Sequence, residues 1–276
     1  MRAQRLVIRF VIFVVFLALT VSFLYPFSYM AINSLKTRAA YLANPFNMPQ
    51  RTLQFSNYAS MITNFNLLEL FRNTAIVTLL SVTLVLIFAT MASYAIAKLR
   101  FRWKAGIYLF IIATISIPPQ ATIIPLYVMF GRMGLVNTYW SVVLSYLAGG
   151  LPGSILLLTA NFRGIPGELF EAGRLDGSGY FRTLWSILVP LGRPALSLNF
   201  IFYFVGWWND LFLPMILIPG SNVRTWMVAL ASVMQRQASD PTFQFTGLLM
   251  GTIPAVVVYL IFQRNLIRGV MMGAVK

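Results

Sequence analysis

Six apolar stretches long enough to cross a membrane dominate this sequence. They cover residues 10–35, 73–97, 105–130, 138–160, 195–218 and 243–262. A helix needs about 20 mostly apolar residues to cross the hydrocarbon core of a bilayer. Hydrophobic residues make up 59% of the 276-residue chain and charged residues 10%, against about 25% charged in soluble domains. The sequence therefore predicts an all-α, polytopic membrane protein with six transmembrane helices in a single domain, 1–276.

The first stretch is expected to be retained as a membrane span. It resembles a signal peptide in following a basic start at Arg2 and Arg5, but it is too long for a simple apolar region of that kind. No clear small-residue cleavage site follows it. We therefore interpret it as a first span that also starts translocation.

The basic residues predict the orientation of the chain. With the N-terminus in the cytoplasm, the inside segments hold twice as many Lys and Arg residues as the outside segments. The densest group, Lys98, Arg100, Arg102 and Lys104, lies in one short inside loop. Cytoplasmic loops carry an excess of basic residues, so both termini are expected in the cytoplasm. The net charge of +15 is then explained by the membrane and not by nucleic acid.

Prolines and glycines fall inside several of the predicted spans. We expect them to interrupt the third span at Pro118-Pro119 and Pro125, and the fourth between Gly149 and Gly153; Pro214 and Pro254 lie in the fifth and sixth. A proline removes a backbone donor and kinks a helix. Such kinks suit a solute pathway, although proline and glycine are also commoner in membrane helices generally.

Residue types that the chain lacks exclude several kinds of chemistry. There is no cysteine and no histidine, so no catalytic site and no metal site are predicted. No lysine follows a glycine, so the phosphate-binding loop of ATPases is absent. Asp210 is the carboxylate that lies well inside the apolar stretches, whereas ion-coupled carriers usually need intramembrane ionisable groups. Energy for transport is therefore expected from outside the bilayer.

The inside loop 161–194 carries the most informative pattern. Pro166 suits a helix start, and Glu168 and Glu171 fall where the helix dipole favours negative charge. Asp176-Gly177 should break this helix, and Ser178 is expected to cap the next one. The second helix should run towards Pro190 with apolar residues at helical spacing, namely Phe181, Leu184, Trp185 and Leu188. An exposed amphipathic helix pair of this kind needs a partner groove or the headgroup layer.

The same loop resembles the EAA loop of permease subunits of ATP-binding-cassette (ABC) importers. That motif begins with Glu-Ala-Ala, and a Gly follows after three further residues. After nine more residues comes an Ile, which is separated by one residue from a Leu-Pro pair. The chain has Glu171-Ala172-Gly173, Gly177, Ile187 and Val189-Pro190 at the same spacings. It departs from the motif at Gly173 and Val189, and both changes are mild.

Further matches point to the carbohydrate branch, in particular the subunit similar to the second maltose permease. They are Phe71–Thr74, Ser93–Ala97, Ile124–Leu126, Asp176-Gly177, Trp208-Asn209 and the tail from Gly269 to Lys276. The resemblance covers the chain from about residue 71 to its end. It implies the type I transmembrane domain of ABC importers, with the coupling loop at 161–194 and a cytoplasmic tail at 263–276.

The resemblance also implies partners and the residues that would contact them. The expected assembly is a heterodimer of two permease subunits on two copies of a cytoplasmic ATPase, fed by an extracytoplasmic solute-binding protein. ATP and magnesium would be bound by the ATPase subunits, and no cofactor is expected in this chain. The implied ATPase-docking residues are Glu168, Glu171, Ala172, Gly173, Asp176, Gly177, Ile187 and Pro190, with the tail residues Gly273, Ala274, Val275 and Lys276. The implied binding-protein contacts are Met234, Gln235, Arg236, Gln237 and Asp240.

Residues of the solute pathway are less well defined by the sequence. The candidates are Tyr94, Pro119, Tyr127, Asn209 and Asp210. Asp210 fits a pathway or gate residue beside Trp207 and Trp208, and it equally fits a carboxylate hydrogen-bonded at a helix break. The tyrosines could stack on a sugar, and they also suit core packing.

The function expected from these features is import of a sugar or oligosaccharide through a bacterial or archaeal cytoplasmic membrane, by alternating access. The sequence leaves glycerol phosphate and acidic oligosaccharides open as substrates. The alternatives are an ion-coupled secondary carrier that acts alone and, third, a membrane scaffold or sensor.

Overall fold

The computed structural model describes residues 2–49, 53–220, 222–236 and 240–274, and within these the chain is helical without strands. The α-helices are α1 (Arg2–Ser34), α2 (Arg38–Ala43), α3 (Ser56–Thr63), α4 (Leu67–Lys98), α5 (Lys104–Ala113), α6 (Pro119–Arg132), α7 (Tyr139–Arg163), α8 (Glu168–Leu175), α9 (Tyr180–Thr183), α10 (Val189–Leu191), α11 (Arg193–Trp208), α12 (Phe212–Leu217), α13 (Trp226–Arg236) and α14 (Pro241–Ala274). A 3-10 turn covers Thr114–Ser116, and a π-helical turn covers Leu184–Leu188.

Four continuous helical segments are long and apolar enough to cross a membrane. They are Leu6–Ser34, Leu67–Lys98, Tyr139–Arg163 and Pro241–Gln263. Two further apolar pairs are bent, by 96° between Lys104–Ser116 and Pro119–Arg132 and by 77° between Tyr180–Leu191 and Arg193–Trp208. The described residues thus form an all-helical, multi-pass membrane protein with four continuous spans and two bent helix pairs.

The bend in the third apolar stretch lies at the two adjacent prolines. Ile117 and Pro118 have extended backbones, with ψ of 113° and 132°, and α6 begins at Pro119. Proline disfavours helical geometry in the residue before it and suits the first position of a helix. The predicted interruption at Pro118-Pro119 is confirmed, whereas Pro125 lies inside α6 without ending it.

The predicted interruption of the fourth span is wrong. Helix α7 runs without a break through Gly149, Gly150, Pro152 and Gly153, and α14 likewise continues through Pro254. A Cβ atom on Gly150 would lie 3.0 Å from the Trp207 ring, and one on Gly153 would lie 2.9 Å from the Tyr203 hydroxyl. These two glycines therefore admit large rings from α11 against the side of α7.

The fifth apolar stretch is not one continuous helix. Helix α11 ends at Trp208, the chain leaves helical geometry at Asn209 and Asp210, and α12 starts at Phe212. The predicted span 195–218 is therefore divided near the position of Asp210.

The chain divides into two compact units, of which the first comprises residues 1–68 and 229–253. In this unit the end of α1 packs against the start of α14, with the rings of Tyr29 and Phe245 meeting edge to face at 5.6 Å. Hydrogen bonds support this contact: Ser34 Oγ lies 2.6 Å from Tyr58 Oη, and Thr246 Oγ1 donates to the Ser34 carbonyl. The side chains of Leu6 to Phe27 on α1 are mostly exposed and apolar, as expected for a surface that faces lipid or another subunit.

The second unit comprises residues 69–228 and 254–276 and is built on α4, α7 and α11. One buried cluster includes Val77, Val142, Val143 and Tyr146 with Leu217 of α12. Another joins Ala89 and Tyr94 of α4 to Leu158 and Phe162 of α7 and includes residues of the segment α8–α10. The loop that the sequence singles out is thus part of the packed core at one end of the helices.

Gly192 lies at the 77° bend between α10 and α11, where the packing leaves no room for a side chain. A Cβ atom there would lie 2.6 Å from Phe162 Cε1 and 3.1 Å from the Leu188 carbonyl oxygen. Both neighbours are fully buried, so neither has space to move aside.

We predict that Gly192→Ala destabilises the subunit by about 1–3 kcal/mol, the usual cost of overpacking a core. The measurement is thermal unfolding of the detergent-solubilised protein. Gly106→Ala is the matched control, because nothing lies within 4 Å of a Cβ atom at that helical glycine. Equal melting temperatures for the two variants would contradict the packing argument.

Candidate functional site

The turn after α8 is a glycine-dependent helix end. Gly177 has φ +79°, a left-handed conformation that other residues adopt only with strain. The Ser178 amide donates to the Gly173 carbonyl at 2.8 Å, and the Gly177 amide donates to the Arg174 carbonyl at 3.0 Å. This pair of bonds is the Schellman arrangement, so the predicted break at Asp176-Gly177 is confirmed.

Ser178 does not cap the following helix as the sequence suggested. The N-cap residue of α9 is Gly179, and no side chain bonds to the first amides of that helix. Ser178 instead completes the preceding helix end through its own amide. The correction arises because the Schellman turn extends the first motif by one residue.

Gly173 and Ile187 of the EAA-like pattern meet in space. Gly173 is buried, and a Cβ atom on it would lie 2.8 Å from Ile187 Cδ1. The small residue therefore lets the second half of the loop close onto α8. An alanine would require only a shift of the flexible isoleucine terminus, which agrees with the mild nature of this departure from the motif.

The inner face of the loop is anchored in the core. Phe170, Leu184 and Leu188 are buried in the cluster that also holds Tyr94 of α4 and Phe162 of α7. The Lys98 ammonium, at the end of α4, lies 4.9 Å from the centre of the Phe170 ring and donates to the Ile165 carbonyl at 2.5 Å. A cation over a ring and a charged hydrogen bond both hold α8 against the end of α4.

The outer face of the loop presents large apolar side chains to solvent. Leu175 is 90% exposed, Phe181 68% and Tyr180 63%. The sequence placed Phe181, Leu184, Trp185 and Leu188 on one helix face, but Leu184 and Leu188 are buried while Phe181 and Trp185 are exposed. The π-helical turn at Leu184–Leu188 contributes to this split, because its Val189 amide bonds to the Leu184 carbonyl five residues back.

The predicted docking residues fall into an exposed and a supporting group. The exposed members are Glu168, Glu171, Ala172, Asp176, Gly177 and Pro190. Gly173 is buried and Ile187 half-buried, so these two support the loop from within.

A cavity of about 680 Å³ lies between the loop and the end of α4, and charged side chains at its edge include Lys98, Arg100, Glu171 and Arg174. Tyr94, a predicted pathway residue, lines this cavity and not the interior of the helices.

A second cavity, of about 530 Å³, lies inside the second unit where α11 breaks. Three predicted pathway residues line it together, namely Pro119, Asn209 and Asp210. Tyr127 lies elsewhere, in a wholly apolar cavity with Ile123, Ile124 and Ile216. We refer to the cavity at the helix break as the Asp210 cavity.

Both carboxylate oxygens of Asp210 accept hydrogen bonds. Tyr146 Oη of α7 donates to Oδ2 at 2.8 Å, and the Phe212 amide donates to Oδ1 at 3.0 Å. The second bond satisfies the Phe212 amide at the start of α12, because the first amides of a helix have no carbonyl partner within that helix. The sequence left open whether Asp210 is hydrogen-bonded at a helix break or is a pathway residue. In the structure its side chain accepts hydrogen bonds at the helix break and also lines a cavity.

The sequence places Trp207 beside Asp210 but does not predict that its ring forms an aromatic wall of this cavity. The Trp207 ring stacks on Tyr146 at 4.6 Å with planes 7° apart, and it packs on Tyr203 at 4.7 Å. Tyr203 Oη also donates to the Gly150 carbonyl at 2.8 Å. The Gly149-Gly150 pair was a usable signal, since small residues in a membrane helix also mark close approach of a neighbouring element.

The Phe71–Thr74 motif at the start of α4 anchors the segment before α13. The Asn73 amide group donates to the Asn222 and Arg224 carbonyls, and its oxygen accepts from Tyr139 Oη at 2.7 Å. Thr74 Oγ1 accepts from the Trp226 amide at 2.8 Å. The motif thus fixes one end of the predicted outer segment to α4.

The predicted binding-protein contacts lie around the gap between α13 and α14. Met234, Gln235 and Arg236 end α13, and Gln237 lies outside the described residues. Asp240 has an intramolecular role, because its Oδ1 accepts from the Thr242 hydroxyl at 2.7 Å and from the Thr242 amide at 3.1 Å. Of the predicted tail contacts, Gly273 and Ala274 belong to α14, and Val275 and Lys276 lie outside the described residues.

The chain thus has helices long enough to cross a membrane, a cavity with Asn209 and Asp210 at a helix break, and a folded loop with exposed apolar side chains. The chain matches the family described as "Binding-protein-dependent transport system inner membrane component" over residues 86–272. It belongs to this family.

Named relatives agree with this assignment. The chain is 31% identical over 263 residues, 95% of both chains, to a probable starch degradation products transport system permease protein of Thermoanaerobacterium thermosulfurigenes. It is 29% identical, over 91% of its length and 83% of the relative's, to a diacetylchitobiose uptake system permease protein of Streptomyces coelicolor. In fold it is similar to a chain of a bacterial ABC transporter involved in alginate import, with a TM-score of 0.78, 22% identity, and coverage of 96% of this chain and 98% of that one.

We predict that Gly177→Ala weakens the turn after α8 and that Gly179→Ala does not. A non-glycine residue in the left-handed region costs about 1–2 kcal/mol, or roughly 5- to 30-fold in local opening. Gly179 has φ −72° and open space around a Cβ atom, so it is a matched control. Hydrogen exchange at the Ser178 and Gly177 amides measures the effect, and equal exchange in the two variants would contradict it.

Proposed function

We propose that this chain is the permease subunit of an ABC importer for a saccharide, and that it docks its ATPase through the loop α8–α10. Family membership supports an importer fed by a binding protein, and the relatives named for starch products and diacetylchitobiose support a sugar cargo. The observation that carries the docking proposal is the two-sided loop, whose inner face is buried in the core while Leu175 and Phe181 project outward.

The exposed face of the loop has the character of an interface. Leu175, Tyr180 and Phe181 are exposed apolar or aromatic side chains of the same loop that exposes Glu168 and Glu171. Such a surface is costly in water and suits a partner groove lined by apolar and basic groups. The proposed partner is one of two cytoplasmic ATPase subunits, with Glu171 paired to a basic group of that subunit.

The anchoring of the loop supplies a route for mechanical force. A push on α8 is passed to α4 through Phe170, Tyr94 and Lys98. A push on the second half is passed through Leu184 and Leu188 into the cluster that holds Phe162 of α7, beside the bend at Gly192. Because Leu184 and Leu188 are buried in one cluster with Phe162, a shift of the loop is expected to move the ends of the helices with it. This is the step by which closure of the ATPase dimer would switch the pathway from inward-open to outward-open.

The energy for transport is proposed to come from the ATPase subunits, which would bind ATP and magnesium. In the described apolar helices and their connections, Asp210 is the carboxylate that lies well inside, and both its oxygens accept internal hydrogen bonds. A single braced carboxylate offers no relay for protons or sodium. These features and the family support ATP-driven transport over an ion-coupled carrier acting alone.

In the proposed arrangement there are six spans: α5 and α6 together form the third, α11 and α12 together form the fifth, and both termini lie in the cytoplasm. The chain would lie in a bacterial or archaeal cytoplasmic membrane and pair with a second permease subunit. The segment that follows α12, tied to α4 by Asn73 and Thr74, would face the extracytoplasmic binding protein.

Reconstitution of the importer tests this proposal. The two permease subunits, the ATPase and the binding protein are placed in liposomes, and uptake of labelled maltotriose and diacetylchitobiose is measured with and without ATP. Uptake should require ATP and the binding protein and should be lost in Glu171→Arg. Uptake driven by an ion gradient without the ATPase would contradict the proposal.

We predict that Leu175→Gln weakens ATPase binding to the permease pair by roughly 10- to 100-fold. This is the loss expected when a leucine contributes about 1.5–3 kcal/mol by burial at an interface. Met133→Gln is the control, because Met133 is also exposed and follows α6 in a different connection. Co-purification of the ATPase and its permease-stimulated hydrolysis are the readouts, and unchanged binding in Leu175→Gln would contradict the docking role of this face.

A further inference from the structure

The Asp210 cavity has an unusual charge for a chain of net charge +15. Among the side chains that line it, Asp210 is the charged one, and no lysine or arginine is present. The cavity beside the loop, by contrast, is lined by Lys98, Arg100 and Arg174. Basic residues are thus concentrated at the helix ends and are missing from the internal cavity.

The charge of Asp210 is fixed in position. Its two oxygens accept from Tyr146 Oη and from the Phe212 amide, so the carboxylate cannot turn away from a solute without breaking both bonds. Beside an aromatic wall, such a charge is screened less than one on an open surface.

The remaining polar groups of the cavity suit hydroxyl groups. Asn209 is exposed and donates its amide to the Val205 carbonyl at 2.8 Å, which leaves its Oδ1 available as an acceptor. Gln120 also lines the cavity, is exposed, and offers both a donor and an acceptor. A carboxylate oxygen accepts about two hydrogen bonds, so Asp210 retains capacity for a solute. The volume of about 530 Å³ lies within the usual range of small-ligand sites.

We propose that the Asp210 cavity is a subsite for a neutral saccharide and that Asp210 selects against acidic sugars. Asp210, Asn209 and Gln120 would accept and donate hydrogen bonds to sugar hydroxyls, while the fixed negative charge repels a carboxylate or sulfonate on the solute. This inference rests on the proposed function, since it names the cargo class of the same pathway.

Direct binding to the assembled importer tests the inference without the selectivity of the binding protein. The permease–ATPase complex in nanodiscs is titrated calorimetrically with maltotriose, diacetylchitobiose and a mannuronate trisaccharide. The wild type should bind at least one neutral sugar and should prefer it over the acidic trisaccharide by about tenfold or more, the effect of one poorly screened charge at several ångströms. Equal affinity for neutral and acidic sugars, or no saturable binding of a neutral sugar that the complete importer takes up, would overturn the inference.

Charge variants identify Asp210 as the cause of the preference. Asp210→Asn keeps the shape and should reduce the preference for neutral sugars about tenfold. Gln120→Arg should act in the same direction and Gln120→Glu should not, and this pair keeps the test valid if Asp210→Asn fails to fold. Glu69→Gln is the carboxylate control, because Glu69 is outside the cavity and paired with Arg72 at 3.7 Å.

The outcomes separate the inference from the proposed function. An unchanged preference in both Asp210→Asn and Gln120→Arg, with ATP-dependent sugar uptake intact, would overturn the role of Asp210 alone. Absence of ATP-dependent uptake of any saccharide by the complete wild-type importer would instead overturn the proposed function.

Discussion

In a membrane, a break in a helix is tolerated only where the freed backbone groups find partners in the protein or in a water-lined cavity. The chain meets this constraint between α11 and α12 with a single carboxylate. Asp210 accepts the Phe212 amide and is itself held by Tyr146 of α7. The break in turn orients Asn209 and Asp210 towards the space beside Trp207. The cavity, its polarity and its charge therefore follow from how one helix interruption is satisfied.

The glycines of α7 are the counterpart of that break. Gly150 leaves space for the Trp207 ring, and Gly153 leaves space for the hydroxyl of Tyr203. The Trp207 ring then stacks on Tyr146 and packs against Tyr203, and the three rings form one wall of the cavity. Backbone packing of this closeness is how helices associate where lipid offers no hydrophobic driving force. The aromatic wall and the braced carboxylate consequently depend on the same small-residue face of α7.

Sequence patterns identify the features of this protein that depend on residues close together along the chain. Long apolar runs identify the continuous spans, adjacent prolines identify the bend at residue 118, and Asp176-Gly177 identifies the turn after α8. The glycines of α7 were misread because a glycine looks the same in a sequence whether it ends a helix or admits a neighbouring ring. The cavity was only partly foreseen, because its wall joins Gln120, Tyr146 and Trp207, which lie far apart along the chain. The π-helical turn at Leu184–Leu188 was also not predicted. Side chains at 181, 184, 185 and 188 fit one face of an α-helix, and that pattern changes only because the backbone hydrogen bond of the turn spans five residues instead of four.

The cavity beside the loop and the Asp210 cavity differ in their charged side chains, because a charge is costly away from water and headgroups. At the helix ends, Lys98 can lie over Phe170 and bond to a carbonyl while water and headgroups remain near. Among the helices an unpaired charge would be costly. The Asp210 carboxylate is stabilised there because it accepts hydrogen bonds from Tyr146 and from the Phe212 amide at the helix break. The Asp210 cavity carries its negative charge as a consequence of this architecture. In the role proposed for it, Asp210 would discriminate solute charge with the same carboxylate that accepts a backbone amide at the helix break.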